Sequence, residues 1–257
     1  MTLNELVRYV KQKENFITID DYAKFCLQYL GFISNGLQAV IVSQNENNYN
    51  FFQYKEDGYY SITRPINSLL MLSVQEFEEA YKVFRASLPC MRELQSECKT
   101  RDIINKFVYT CQQSIGATLD ALPANESNTA RKINGDLFGR FIRLILTDMG
   151  IEVSEGTVRV PVEVDGEEQF FMNYQHDVII KKENELKAIG SVKTSSKDRI
   201  DKIFIDKFLY NHLTNSNIPH FAVFLNDVQR SGKEPRYGVN TTFLTGHYKG
   251  YTVKLNH

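Results

Sequence analysis

The sequence predicts a mixed α/β fold, with an α+β region in the first half and a mixed central sheet flanked by helices in the second. Along the second half the residue patterns follow the order helix, three strands, helix and strand. Of the 257 residues, 42% are hydrophobic and 24% are charged, which is the balance of a folded globular protein. That length suffices for one large domain or two small ones. We expect two, covering residues 1–125 and 126–257.

Charge and cysteine content limit the classes of function. The formal net charge is -1, so binding to nucleic acid would have to depend on a local patch of Lys and Arg. The four cysteines form no C-x-x-C pair and no zinc pattern with histidines, which favours free thiols in a reducing cytoplasm. The first residues predict an amphipathic helix rather than a signal peptide, and no apolar run approaches a membrane span. We therefore expect a cytoplasmic protein with no membrane partner.

The first half predicts several helices and a β-hairpin. Polar caps in front of amphipathic repeats, such as Ser73 followed three residues later by Glu76, predict helix starts. The dipeptide Asp57-Gly58 predicts the turn of the hairpin. The hairpin is rich in Tyr and Phe, which would either pack in a core or stack on bases. DNA recognition and dimerisation both stay open for this half. The predicted helices cover residues 3–11, 18–31, 73–86, 91–98 and 100–122, and the predicted strands 37–42, 51–54 and 59–63.

The second half begins with a polar stretch, residues 125–132, that predicts a linker. A broadly apolar helix follows, and Asp136 stands near its predicted start. Residues 158–164 alternate between apolar and polar and predict a strand, in which Pro161 favours an edge position or a bulge. Residues 218–225 are almost continuously apolar, which predicts a strand in the middle of a sheet that is covered on both faces.

Residues 177–206 carry the clearest chemical signal, because their pattern is strand, turn, strand and helix. Asp177 begins one strand and Lys193 ends the next, so a carboxylate faces an ammonium group across a hairpin. Metal-dependent nucleases use such a pair. The carboxylate holds Mg²⁺, which polarises the phosphate and lowers the pKa of the attacking water. The lysine orients that water and stabilises the charge of the transition state.

This segment resembles the PD-(D/E)xK nuclease superfamily, to which most DNA-cutting restriction endonucleases belong; the likeness covers about half of the chain. Two positions depart from the pattern. His176 replaces the proline, and Ser191 stands where the motif has an acidic residue, two before the lysine. A branch of type II restriction endonucleases that cut CCGG-like and CCNGG-like sites has the same gap and takes the acid from the following helix. Asp206 matches that place in this chain.

The same branch carries an Arg-(Asp/Glu)-Arg cluster that contacts G·C pairs. The matching residues here are Lys197, Asp198 and Arg199. Lysine at the first of these positions keeps a donor for guanine but lacks the bidentate fork of arginine. The target sequence therefore stays open.

The resemblance implies a type II restriction endonuclease, which hydrolyses double-stranded DNA at a short palindrome. Asp177 and Asp206 would hold Mg²⁺, helped by a backbone carbonyl near Val192. Lys193 would position the water, and Ser191 would occupy the vacated acidic position.

The resemblance also bears on Asp136 and on the partners of the chain. Asp136 would hold a second metal ion or a water, or it would only favour the dipole at the helix start. A palindromic site implies a homodimer with one active site for each strand, and a methyltransferase encoded in the same operon. Two alternatives stay open. One is a structure-specific or repair nuclease of the same fold, and the other is a non-catalytic DNA-binding protein on a decayed nuclease core, which Ser191 motivates.

Overall fold

A computed structural model of the chain describes residues 1–43, 48–56, 58–94, 98–195 and 200–225. The chain divides into two compact units, Met1–Met149 and Gly150–His257. The sequence placed its boundary at residues 125/126, and where the catalytic region begins along the chain stays a prediction. Among the described residues, no helix has both the length and the apolar character needed to cross a membrane.

The first unit contains five α-helices and four strands among its described residues. The helices are α1 (Leu3–Lys11), α2 (Ile19–Gly36), α3 (Val74–Ser87), α4 (Lys99–Leu119) and α5 (Ser127–Asp148). The strands are β1 (Ala39–Val42), β2 (Tyr49–Glu56), β3 (Tyr59–Ile62) and β4 (Ile66–Asn67). Short 3₁₀ helices cover Lys13–Asn15, Leu88–Glu93 and Ala124–Glu126.

Capping boxes fix the starts of α1, α2 and α3. In each, the side chain of the cap accepts a bond from a backbone N–H three residues later, and the acidic residue there bonds back to the cap N–H. These reciprocal bonds satisfy donors that a helix start otherwise leaves unpaired. The pairs are Thr2 with Glu5, Thr18 with Asp21, and Ser73 with Glu76.

Helix α4 lies at the centre of the first unit, in contact with α1, α2, α3 and α5. Its Phe107 ring packs against Phe77 and Phe84 of α3, with centroid separations of 5.2 and 4.4 Å. Phe141 of α5 lies 6.4 Å from the same ring. Aromatic pairs of this kind add stabilisation beyond the area that they bury. Many of the Phe and Tyr residues of the first half therefore form its core.

The small sheet of the first unit carries both buried and exposed aromatic residues. β1, β2 and β3 pair antiparallel in that order, and β4 pairs with β2. Phe52 and Tyr54 are buried, and the Tyr54 hydroxyl lies 2.6 Å from that of Tyr29 on α2. Tyr59 and Tyr60 are 82% and 58% exposed. The aromatic residues of the hairpin are thus divided between core and surface, and base stacking by the exposed pair stays a prediction.

An ion pair joins the segment after β3 to the end of α4. The Arg64 backbone N–H and Nε donate to Asp120 Oδ2 at 2.7 and 2.8 Å, and Nη2 donates to Oδ1 at 2.7 Å. Both side chains are about four-fifths buried. The planar guanidinium matches the two oxygens of the carboxylate, which is the strongest geometry for such a pair.

Two predictions for the first unit are wrong. The polar stretch 125–132 is helical rather than a linker, because α5 begins at Ser127 and buries Ala130 and Ile133 on one face. Its polar residues lie on the other face, so their composition resembles that of a loop. The helix predicted at 91–98 is instead the 3₁₀ helix Leu88–Glu93, which has a proline in its first turn; residues 95–97 lie outside the described residues.

The second unit contains a mixed four-stranded sheet and one helix among its described residues. The strands are β5 (Glu152–Val164), β6 (Glu167–Lys182), β7 (Glu185–Lys193) and β8 (His220–Phe224), and the helix is α6 (Ile200–Leu213). The order is β5-β6-β7-β8. The first three strands are antiparallel, whereas β8 is parallel to β7, as a crossover through α6 requires.

Tight turns close both hairpins of this sheet. Asp165 and Gly166 connect β5 to β6, and Glu183 and Asn184 connect β6 to β7; all four have φ between 53° and 82°. Two consecutive positive φ values give the turn type that matches the twist of a hairpin. Pro161 lies in β5, an edge strand of the described sheet, as the sequence predicts.

The position predicted for β8 is not observed in the described part of the chain. There β8 pairs with β7 alone and is an outer strand, and its residues are only partly buried. α6 packs on one face of β8, and Phe221 of β8 fills the space that a side chain at Gly190 of β7 would need.

Candidate active site

A β-bulge interrupts β6 at Asp177. Gly156 of β5 pairs with His176, whereas Ser154 pairs with Ile179. Two residues of β6, the first of them Asp177, therefore oppose a single residue of β5. The extra residue reverses the alternation of side chains beyond it, so His176 before the bulge and Ile179 after it face the same side of the sheet. This is the side that α6 covers.

Asp177 accepts two hydrogen bonds from the end of β7. Lys193 Nζ lies 2.5 Å from Asp177 Oδ2, and the backbone N–H of Val192 donates to the same oxygen at 2.8 Å. The side chains of Lys193 and Asp177 are 30% and 35% exposed. The pair is therefore within reach of solvent, yet partial burial strengthens its attraction relative to bulk water. The structure brings these two side chains together, while their catalytic roles stay predictions.

Ser191 lies on β7, opposite Asp177 of β6. It lies on the same side of β7 as Lys193, because side chains two residues apart in a strand share a face. The pairing of Val178 with Gly190 places Ser191 beside Asp177. A hydroxyl therefore faces Asp177 where the nuclease motif would supply a carboxylate.

Asp206 lies on α6, one turn before Tyr210. Its side chain is 27% exposed, and Oδ2 accepts a 2.9 Å hydrogen bond from Lys202 Nζ. Burial, reinforced by the charge on His220, lowers the pKa of His176 to about 4, and the Asp206 carboxylate opposes that shift. Burial also lowers the pKa of His220, again against the effect of Asp206. The Asp206 carboxylate is thus close enough to both rings for its charge to act on them.

Four rings pack together next to Asp206, and we call them the histidine cluster: Tyr174, His176, Tyr210 and His220. The Tyr210 ring lies 6.2 Å from that of His176 and 5.5 Å from that of His220, and the two histidine rings are 6.3 Å apart. None of these four residues is among the predicted site residues. In the sequence, Tyr174 and His176 are polar rings two residues apart on a predicted strand, and this pattern is equally typical of core residues.

The remaining predicted site residues lie in the first unit or outside the described residues. Asp136 lies in the first unit, in the middle of α5 rather than at a helix start, and pairs with Lys13 Nζ at 2.8 Å. Its role stays a prediction. The predicted base-contacting residues Lys197, Asp198 and Arg199 lie outside the described residues.

The donor set fits a magnesium ion. Among the described residues, no group of three or more His, Cys, Asp or Glu side chains is placed to hold a metal. Mg²⁺ keeps several water ligands, however, and is commonly bound through one or two carboxylates. Asp206 lies on α6, which packs against this sheet, and the main chain at Val192 already contacts Asp177. Oxygen donors of this kind suit a hard cation.

Comparison with known proteins identifies the fold. No family model matches the chain, and no curated protein matches it. The chain is similar to the crystal structure of the type IIP restriction endonuclease Kpn2I, with a TM-score of 0.63 and 15% sequence identity over 97% of this chain and 84% of that one. The predicted α/β fold class is therefore confirmed: the chain has the fold of a restriction endonuclease.

Proposed function

We propose that the protein is a type II restriction endonuclease, which uses Mg²⁺ to hydrolyse phosphodiester bonds at a specific site in double-stranded DNA. The observation that supports this most directly is the contact between Lys193 Nζ and Asp177 Oδ2, 2.5 Å long, on adjacent strands of the sheet. Similarity to a structure of a type IIP restriction endonuclease supports it from the fold. Neither observation depends on the other.

Asp177 and Asp206 are the proposed ligands of the ion, together with the backbone carbonyl of Val192. When bound, Mg²⁺ supplies positive charge that polarises the scissile phosphate and lowers the pKa of the attacking water. The Val192 N–H holds the Asp177 carboxylate in one orientation, so little reorganisation is needed when the ion arrives.

Lys193 is the proposed catalytic cation. Its ammonium group has three donors, of which one is directed at Asp177. The others are available to orient the attacking water and to donate to a phosphate oxygen as negative charge grows on it. Such a donor favours the transition state over the ground state, which is what accelerates the reaction.

Ser191 and Asp206 support the branch with a displaced carboxylate. A serine beside Asp177 cannot replace a charged metal ligand, so the second acid has to come from another element. α6, the helix that follows β7 along the chain, carries Asp206. We propose that this residue takes the vacated role, as in the enzymes that cut CCGG-like and CCNGG-like sites.

The proposed partner is palindromic DNA bound by a homodimer, one active site for each strand. Lys197, Asp198 and Arg199 are the proposed contacts to G·C pairs. A cognate methyltransferase would protect the same sequence in the host genome. Ser191 also motivates the alternative of a DNA-binding protein without activity, and the experiments below separate the two.

The decisive experiment is to incubate the purified protein and plasmid DNA with Mg²⁺ and to sequence the fragment ends. We expect discrete fragments that share one short palindrome. Lys193→Ala should lower the cleavage rate by about 10³-fold, because a preorganised charge donor is lost. Lys187→Ala, on the same strand but paired with Glu185 in solvent, is the matched control and should cleave normally. Fragments with random ends would support the structure-specific or repair nuclease instead.

The displaced carboxylate is tested by Asp206→Ala. We expect cleavage to be abolished while binding of DNA in Ca²⁺ is retained, because the variant removes a metal ligand and no DNA contact. Cleavage at the normal rate would show that another carboxylate fills this role. If the protein and its variants bind DNA but none of them cuts it with any divalent ion, the result favours the alternative of a non-catalytic DNA-binding protein.

A further inference from the structure

Two buried imidazole nitrogens of the histidine cluster have no hydrogen-bond partner among the described residues. His176 is 5% exposed, and both its Nε2 and the Nε2 of His220 are shielded from solvent without a bond. Leaving a buried polar atom unpaired is costly. In folded proteins such atoms are usually explained by an ordered water that contacts more than one of them.

The contacts of His220 fix which of its nitrogens carries the proton. Its Nδ1 lies 3.0 Å from the carbonyl oxygen of Ile218. A carbonyl only accepts hydrogen bonds, so Nδ1 is the donor. In a neutral imidazole with its proton on Nδ1, the other ring nitrogen is an acceptor. Nε2 of His220 is therefore a buried lone pair that needs a donor.

The spacing of the two rings suits one water between them. Their centroids are 6.3 Å apart and their planes are inclined at 79°, which is too far for a direct bond between the rings. A water between the rings can accept a hydrogen bond from one nitrogen and donate one to the other, each about 3 Å long. A buried water needs two to four polar partners, so a third group is required for full satisfaction.

Asp206 supplies that third group. It lies one helical turn before Tyr210, and the Tyr210 ring packs against both histidines. Its negative charge acts on both imidazoles. We propose that a single buried water joins His176, His220 and Asp206, and that the two histidines act through it as positioning residues for the Asp206 carboxylate.

The bonding of this network is complete. The Nε2–H of His176 donates to the water, and the water donates one hydrogen to the Nε2 of His220 and the other to Asp206. Each of the three protein groups gains the partner that its chemistry requires.

The network matters because the other hydrogen bond of Asp206 is weak. Lys202, whose side chain is 74% exposed, pairs with it on the surface of the same helix, and exposed pairs of this spacing contribute little. The buried water would hold the carboxylate towards the sheet, where the proposed ion is expected. That last step rests on the proposed function, whereas the water network does not.

The network is tested first in the free protein, without DNA or metal. Nitrogen NMR of the histidine rings at neutral pH should show the proton of His220 on Nδ1 and that of His176 on Nε2. In Asp206→Asn the signals of both rings should move. A proton on Nε2 of His220, or histidine signals that do not shift in Asp206→Asn, would overturn the proposal. Zn²⁺ that binds both rings in stoichiometric amount would also overturn it, since the nitrogens would then be metal ligands.

The positioning role is tested by calorimetry of Ca²⁺ binding. His176→Phe keeps a planar ring but removes the nitrogen, and we expect about tenfold weaker binding, as for other partners of metal ligands. His176→Gln places a polar atom near the same point and should restore affinity to within about threefold. His212→Phe, on the exposed side of α6, is the matched control and should bind normally. Equal affinity for the Phe and Gln variants would contradict the role.

The outcomes also separate this inference from the proposed function. If the protein fails to cut any DNA but shows the expected histidine protons, the network stands and the nuclease proposal falls. If the protein cuts DNA but the histidine protons lie on the other nitrogens, the nuclease proposal stands and the network falls. Should His176→Phe not fold, the Asp206→Asn spectra still decide the matter.

Discussion

Arg64 and Asp120 in the first unit and Lys193 and Asp177 in the second form partly buried ion pairs that differ in geometry. In the first unit, three donors of Arg64 saturate both oxygens of Asp120. In the second, the bonds from Lys193 and the main chain converge on one oxygen of Asp177, at the end of a strand. A bidentate arginine pair fixes one geometry, whereas a lysine is a mobile point charge that can exchange partners. We therefore expect the first pair to stabilise the fold, whereas a chemical role for the second stays a proposal.

The largest expected effect comes from Asp177→Asn. The variant keeps the shape of the side chain but removes the charge that the proposed ion and Lys193 require, so cleavage should fall by about 10³-fold. Its free energy of unfolding should change by less than about 1 kcal/mol, because the pair is about one-third exposed. Single-turnover cleavage and urea unfolding of the same sample measure both quantities. If Asp177→Asn is stable and still cuts DNA, the two ion pairs do not differ in their role.

A smaller effect, and one on a different quantity, is expected for Asp120→Ala. It leaves the Arg64 guanidinium, 22% exposed, without its partner, and we expect a loss of about 2 kcal/mol in unfolding free energy. The cleavage rate of the folded protein should stay the same. Glu126→Ala breaks a more exposed pair with Lys11 and is the control, with an expected change below about 0.5 kcal/mol. A loss of activity at full stability in Asp120→Ala would assign that pair to the site.

The smallest effect is expected for Ser73→Ala at the start of α3. Removing the cap hydroxyl leaves the backbone N–H of Glu76 unpaired and should cost about 1 kcal/mol, measured as a lower urea midpoint. Cleavage should not change. Ser68→Ala, whose hydroxyl bonds an exposed carbonyl in a loop, serves for comparison and should have almost no effect. Equal losses for the two variants would show that the capping box adds nothing.

The local features of the fold follow from the sequence because neighbouring residues determine them. The capping box at Ser73, the turn at Asp165 and the edge position of Pro161 need only a few adjacent residues. The contact between Asp177 and Lys193 was also predictable, since a short hairpin sets which residues of its two strands meet. The fold class was predicted from the order of the elements in the same way.

What the sequence could not supply depends on tertiary packing. The first turns of α5 are polar because the core touches them only at Ala130 and Ile133, and such sparse burial does not produce a helical pattern. The neighbours of β8 depend on pairing between distant strands. The histidine cluster could not be predicted, because histidines are common in strands. Only the structure shows that a histidine nitrogen is buried without a hydrogen bond. The catalytic roles of Ser191, Asp206 and Asp136 stay predictions.

The bulge at Asp177 restricts how this chain can change. Because side chains alternate, removing one residue from β6 between the bulge and the turn at Glu183 would rotate Asp177 to the far face, away from Lys193. The same deletion in the tip at Asp165 and Gly166 would leave the site untouched. Insertions and deletions that preserve function should therefore accumulate at the tip, and the number of residues between Asp177 and Glu183, five in this chain, should stay odd.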